Sequence, residues 1–224
     1  VSSRRDTRPG TVVYQRAEPR VVNCIAHRGF AEEHPENTLD AVRAAVAQGA
    51  DGIEVDVRRC GSGELVVIHD ETVDRVTAAT GAVCEFSRAE LADLAVLGTA
   101  AGVPTLDAVC QAVPPSVDLH LELKEPVAAD AAAVARRHDC QFVLSSLAAD
   151  RLRPVAGADP PVPLALVFAG EPAQALDVAA DIGCVAVHPH WSLCTTDFIA
   201  SAHEQGFAVN AWTVDGPETA AQLA

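Results

Sequence analysis

The sequence contains no methionine and a single lysine, and Phe, Tyr and Trp together make up only 4% of its 224 residues. No apolar run approaches the roughly 20 residues a membrane-spanning helix needs, so no membrane span is expected. Bases are scarce beside acids, 16 against 31, and the formal net charge is −15. Such a surface repels a phosphate backbone, so nucleic acid is not expected as a partner. None of the seven cysteines forms a Cys-x-x-Cys pair. That argues against a zinc cluster or a disulfide framework and for reduced, buried thiols. No glycine-rich loop follows the first predicted strand, which argues against a dinucleotide-binding fold. The Arg4-Arg5 pair lacks the apolar stretch of a secretory signal, so a cytoplasmic location is expected. Residues 1–20, polar and rich in arginine, read as a flexible arm.

An acidic chain with one lysine fits either a saline cytoplasm or a gene rich in G and C. On the first reading, activity and melting temperature rise as salt is added, because screening shortens to about 3 Å at molar salt and relieves self-repulsion. A salt series followed by thermal unfolding checks this, and a flat or falling melting temperature favours the second reading.

From Val21 onward short apolar runs alternate with helical stretches. VVNCIAH, DGIEVDV, VDLHLELK, CQFVLSSL, VPLALVF, CVAVHPH and FAVNAWTV read as strands. Helices are predicted over 35–49, 106–113 and 128–137, with Asn37 or Thr38 capping the first. LVVIHD follows DGIEVDV too closely for a helical crossover and is predicted to pair with it as an antiparallel hairpin. Apolar strands separated by helices imply a parallel sheet covered by helices, an α/β fold over 21–224. The polar residues fall at strand ends, from His27-Arg28-Gly29 to Trp212. A parallel (β/α) barrel opens all those ends onto one face and would gather them into one site.

The segments IAHRGFAEEHPENTLDAVRAAVAQGADGIEVDVRRCGSGELVVIHDETVDRVT, VPTLDAV, LHLELKEP and NAWTV carry HRG, PENT, an E-x-D strand, HDxxxDR, E-x-K and a late Trp, in that order. In these the chain resembles the glycerophosphodiester phosphodiesterase family over about residues 22–214. The resemblance implies a TIM-type (β/α) barrel, one divalent cation, and hydrolysis of a small-molecule glycerophosphodiester substrate to glycerol 3-phosphate and an alcohol. It assigns general acid–base work to His27 and His69. It places Arg28 and Lys124 on the substrate phosphate and Trp212 against the glycerol. It also implies a substrate-supplied nucleophile, the glycerol 2-hydroxyl.

The residues agree with that chemistry on their own terms. Glu54 and Asp56, two apart on a strand, share a face, and Glu122 adds a third carboxylate. Three carboxylates suit the hard ions Mg²⁺ or Ca²⁺, with a salt-bridge network to Arg58 or Arg75 as the competing reading. Imidazoles serve as acid and base near neutral pH, and His69 alternatively only hydrogen-bonds phosphate. Lys124 competes with a surface charge beside Glu125, and Trp212 with ordinary core. His120 reads as a hydrogen-bonded barrel histidine, and Asp70, Asp74 and Arg75 as braces of the loop after His69. Neither Ser145 nor Ser146 adjoins a histidine, so no enzyme nucleophile is evident.

Family chains continue past the Trp strand to one more strand, whereas this sequence stops at Ala224. Seven parallel strands are therefore expected, in a barrel incomplete at its C-terminal end that is open, completed by another chain, or part of a longer chain; an oligomer stays open. Two other functions compete: a lipid phosphodiesterase of the same superfamily acting on lysophospholipids, which would need an exposed apolar loop where 70–102 is only modestly apolar, and an inactive barrel serving as a binding protein.

Overall fold

The computed structural model describes residues 22–223, so the expected arm at 1–20 lies outside the described residues. The strands are β1 (Ile25–His27), β2 (Gly52–Arg59), β3 (Leu65–Val67), β4 (Asp118–Leu123), β5 (Gln141–Ser146), β6 (Leu164–Phe168), β7 (Ala186–Pro189) and β8 (Ala208–Val209). The helices are α1 (Leu39–Ala47), α2 (Arg88–Asp93), α3 (Leu106–Ala112), α4 (Ala128–Ala135), α5 (Ala149–Leu152), α6 (Pro172–Asp181), α7 (Thr196–Glu204) and α8 (Pro217–Leu223).

The sheet order is β1-β2-β4-β5-β6-β7-β8, with β3 antiparallel to β2 as the short link requires. Each parallel strand pairs with the next in sequence, the progression of a (β/α) barrel; a doubly wound sheet would reverse direction at its first strand. Seven strands are parallel, and no β8–β1 pairing closes the ring among the described residues. The fold is a TIM-type barrel left incomplete, as expected.

Strand alternation decides which residues reach the site. Ile53, Val55 and Val57 of β2 sit beside Leu119, Leu121 and Leu123 of β4, all fully buried in one cluster with the inner faces of α1, α3 and α4. Each such side chain contributes about 1.5–3 kcal/mol by leaving water. The opposite face of the same strands carries Glu54, Asp56, His120 and Glu122. The polar half of the alternation thus points into the barrel.

Helix α1 begins later than predicted because Thr38 is its cap: Thr38 Oγ1 accepts from the Ala41 amide at 3.2 Å. Residues 35–38 before it form a turn. The stretch from Cys60 to Val103 is more than the expected loop. Val66, Ile68, Val73, Val76, Leu91 and Val96 build a second small core, with α2 laid across it. Its apolar residues are spaced without helical or strand periodicity, so their joint burial could not be read beforehand.

Candidate active site

Register brings the site together. His27 of β1 lies opposite Glu54, and Asp56 of β2 lies opposite Glu122 of β4. One oxygen from each of Glu54, Asp56 and Glu122 lies within 4.8 Å of the other two. Glu54 Oε1 is buried without a hydrogen-bond partner among the described residues. Burial, then the neighbouring charges of Asp56 and Glu122, push the Glu54 carboxyl well above the usual range. Three carboxylates so close repel one another unless cations stand between them. An all-oxygen donor set with an orphaned buried oxygen fits a hard divalent ion.

Both expected phosphate cations lean on this cluster. Lys124 Nζ lies 3.0 Å from Asp56 Oδ1 and also donates to Glu122 Oε1. Burial lowers the Lys124 pKa, but Asp56 and Glu122 outweigh it and the net shift is upward. The ammonium is charged and inward-facing, not a surface group. Arg28 donates its amide to Glu54 Oε2 at 3.1 Å, and its Nε lies 3.3 Å from Asp56 Oδ2. The competing salt-bridge network is not formed: among the described residues neither Arg58 nor Arg75 pairs with the three carboxylates. Arg28 takes a left-handed φ of 59°, and Gly29 follows at 79°. A Cβ on Gly29 would sit 2.6 Å from the Ala41 carbonyl carbon, so glycine alone fits there.

His27 Nε2 lies 3.8 Å from Glu54 Oε2. Burial lowers its pKa, aided by Arg28 and Lys124 against Asp56 and Asp215. His69 stands after β3, its Nδ1 2.6 Å from Asp70 Oδ1. Arg75 binds Asp70 Oδ2 and makes a two-pronged contact with Glu36 at 2.8 and 2.9 Å. Glu36 also accepts from Arg28 Nη1 at 2.8 Å. A continuous chain, Arg28–Glu36–Arg75–Asp70–His69, thereby ties the two expected histidine positions together. Arg75, with help from Arg28, holds the Glu36 carboxyl at about 2 despite its burial. Asp74 accepts the Gly81 amide at 3.0 Å, so the expected loop braces do brace.

Trp212 sits at the other edge. Its indole N–H donates to the His188 carbonyl at 2.8 Å, and its ring stands edge-on to His190 with centroids 5.4 Å apart. No contact ties it to the carboxylates among the described residues.

Two further residues join this network. Asn37 was expected to cap a helix. Instead its Nδ2 donates to Asp56 Oδ2 at 2.8 Å and its Oδ1 accepts the Asp56 amide at 3.2 Å, from a left-handed φ of 58°. Glu36 is the hub between two arginines. Both lie in PENT, and the motif was the only signal of either. His120 is a correction. It lies deep in the barrel, as expected, but its Nδ1 has no hydrogen-bond partner among the described residues. Its nearest aromatic neighbour is His188, with ring centroids 5.5 Å apart.

Comparison with known proteins agrees with this geometry. A profile of the glycerophosphoryl diester phosphodiesterase family matches residues 27–224. A glycerophosphodiester phosphodiesterase of Caldanaerobacter subterraneus is 53% identical over 70 residues, 31% of this chain and 29% of its own length. Glycerophosphodiester phosphodiesterase 1 of Homo sapiens is 46% identical over 66 residues, 30% of this chain and 20% of its own. The matched stretch thus spans less than a third of these curated relatives. An Oleispira antarctica phosphodiesterase, solved in complex with the product sn-glycerol-3-phosphate, superposes with a TM-score of 0.82 at 25% identity, covering 90% of this chain and 88% of its own. A glycerophosphodiester phosphodiesterase of Agrobacterium tumefaciens gives 0.80 at 26% identity, covering 91% and 92%.

Proposed function

Since this chain belongs to the glycerophosphoryl diester phosphodiesterase family, we propose that it hydrolyses glycerophosphodiesters to glycerol 3-phosphate and an alcohol. The observation that carries the reading is the convergence of Glu54, Asp56 and Glu122 beside His27, Arg28 and Lys124 at the carboxyl ends of three adjacent strands. The three carboxylates would hold one divalent ion, Mg²⁺ or Ca²⁺, which supplies Lewis-acid stabilisation of charge on the phosphoryl oxygens.

The remaining work falls to the chain itself. Arg28 and Lys124, fixed by the acidic residues, present their charge to a bound phosphate. His27 is kept neutral by burial, which suits it to take the proton from the glycerol 2-hydroxyl as that oxygen attacks phosphorus. His69 is backed by Asp70: burial raises the carboxyl, but Arg75 and His69 outweigh it and hold it low, as a carboxylate. With Nδ1–H donated to Asp70, His69 keeps Nε2 toward substrate and is suited to protonate the departing alcohol. Ser145 and Ser146 are buried, which agrees with a nucleophile supplied by the substrate. Trp212 closes the glycerol side.

No helix among the described residues is long and apolar enough to cross a membrane. Of the exposed large apolar side chains, only Leu97 lies between Asp70 and Gly102. That favours a water-soluble diester over a lysophospholipid. All seven cysteines are free, which suits a reducing, cytoplasmic setting.

Two experiments test the reading. Glu122→Gln keeps the shape of the site and removes one ligand charge. It should weaken Mg²⁺ or Ca²⁺ binding by calorimetry by at least tenfold and lower glycerophosphocholine turnover in parallel. Full activity of the unaltered protein in excess chelator would rule out the metal. The analogue of glycerophosphocholine lacking the 2-hydroxyl should bind and not turn over; comparable rates on both substrates would remove the substrate-supplied nucleophile.

A further inference from the structure

Beside the acidic cluster, above the ends of β2 and β4, lies a cavity of about 330 Å³, within the size range of small-ligand sites. Arg58, Arg59, Lys124 and Arg151 line it against Glu71 and Glu125. Cations therefore outnumber acids there, in a chain where acids outnumber bases 31 to 16. Lys124 also touches Asp56 and Glu122, so it is shared by this cavity and the acidic cluster beside which the reacting phosphate would lie.

The four cations differ in what they are paired with. Arg59 is neutralised by Asp130 of α4. Arg58 shares the inward face of β2 with Glu54 and Asp56, and donates Nε to the His69 carbonyl at 2.9 Å. Arg151 donates Nη1 to the Leu123 carbonyl at 3.1 Å and to Ser146 Oγ at 3.5 Å. Both are half-buried and held by neutral oxygens. Seven of the ten described arginines pair with a carboxylate. Of the three that do not, Arg58 and Arg151 line this cavity. Two partly desolvated guanidinium groups that form no ion pair with a carboxylate among the described residues, in a protein with acids to spare, are fitted to a ligand that brings the negative charge itself. No Phe, Tyr or Trp lines the cavity. It therefore offers a quaternary ammonium no aromatic face to rest on.

We propose that this cavity receives the alcohol moiety of the substrate and selects glycerophosphodiesters whose alcohol carries a negative charge of its own, with Arg58 and Arg151 as the specificity-determining residues. The inference rests on the diesterase reading above. Catalysis and selectivity are nevertheless separable, because the reaction uses the diester phosphate and the cavity reads the group beyond it.

The probes are glycerophosphoinositol 4-phosphate, glycerophosphoinositol and glycerophosphocholine. Their kcat/KM values are measured on the whole chain, and their affinities by calorimetry on His27→Ala, which prevents turnover during titration. The phosphorylated probe should exceed its unphosphorylated counterpart at least tenfold in both measurements, and glycerophosphocholine should be the poorest. In Arg58→Gln/Arg151→Gln the phosphate preference should fall below about twofold, while Arg58→Lys/Arg151→Lys retains most of it. A ratio between two substrates cancels any common effect on His69, whose carbonyl Arg58 holds. Turnover of all three with equal kcat/KM and equal affinity overturns the inference and leaves the diesterase reading intact. A phosphate preference that survives in the folded double glutamine variant overturns it as well. Arginine-dependent binding of the phosphorylated probe with no turnover of any diester keeps the anion cavity and overturns the diesterase reading instead.

Discussion

Replacing His69 by alanine lowers turnover of glycerophosphocholine by about 10²–10⁴-fold, the usual cost of losing a positioned acid or base, and His27→Ala costs as much. The two losses have different causes, and one substrate separates them. In the glycerol phosphodiester of 4-nitrophenol the leaving group departs as an anion and needs no proton. Loss of the acid then matters little, so His69→Ala should recover to within about tenfold of the unaltered protein. His27→Ala should stay impaired, because the 2-hydroxyl still has to lose its proton. The assignment comes from geometry: His69 Nδ1 lies 2.6 Å from Asp70 Oδ1, which orients the ring with Nε2 free to give a proton, whereas burial, then Arg28 and Lys124, lower the His27 pKa and suit it to take one. Recovery of His27→Ala with His69→Ala still impaired reverses the two roles. Full activity of both variants on glycerophosphocholine removes both from the chemistry. Their side chains are 40% and 34% exposed, so both variants should unfold within about 1 kcal/mol of the parent.

A second large effect lies deeper in the barrel. His120 and His188 are buried side by side, and desolvation pushes their pKa values down to about 4 and about 3. In the unfolded chain both titrate near 6.5. Below that pH the unfolded state binds protons that the native state refuses. The stability they contribute is therefore complete above about pH 6.5 and is lost as pH falls toward 4. Each imidazole adds about 1.4 kcal/mol per pH unit to the slope once the unfolded state is protonated, so the pair removes several kcal/mol across two units. That is a large share of the roughly 5–15 kcal/mol that holds a domain folded. Denaturant unfolding at a series of pH values between 7 and 4 reads the slope. His188→Gln should reduce it by about one proton, and His120→Gln likewise. Glu54, whose raised carboxyl pulls the other way, is present in parent and variants alike and drops out of the difference. Identical slopes in the three proteins would show that these histidines are charged in the native state.

Much of the site was legible because its residues come in local pairs. Glu54 and Asp56 share a strand face by alternation alone, and Lys124 lies two residues after Glu122 for the same reason. The short link before LVV fixed the antiparallel β3. The connections that were missed are long-range and depend on side-chain reach. Asn37 meets Asp56 from a left-handed turn that no periodicity announces. Glu36 binds Arg75 across 39 positions of sequence. The small core between Cys60 and Val103 assembles residues with no regular spacing.

The order of residues alone specified the alternation of strands and helices, the acidic surface, and which chemical groups face inward, because side-chain direction follows from strand period. What those groups do to one another arose from packing between distant segments. Strand register set Asp56 against Glu122 and buried Glu54 Oε1 without a partner. The same packing left Arg58 and Arg151 lining a cavity without an ion pair to a carboxylate among the described residues. Such outcomes depend on distance and on exclusion of water. Both arise only when segments far apart in the chain pack together, so no local pattern can encode them.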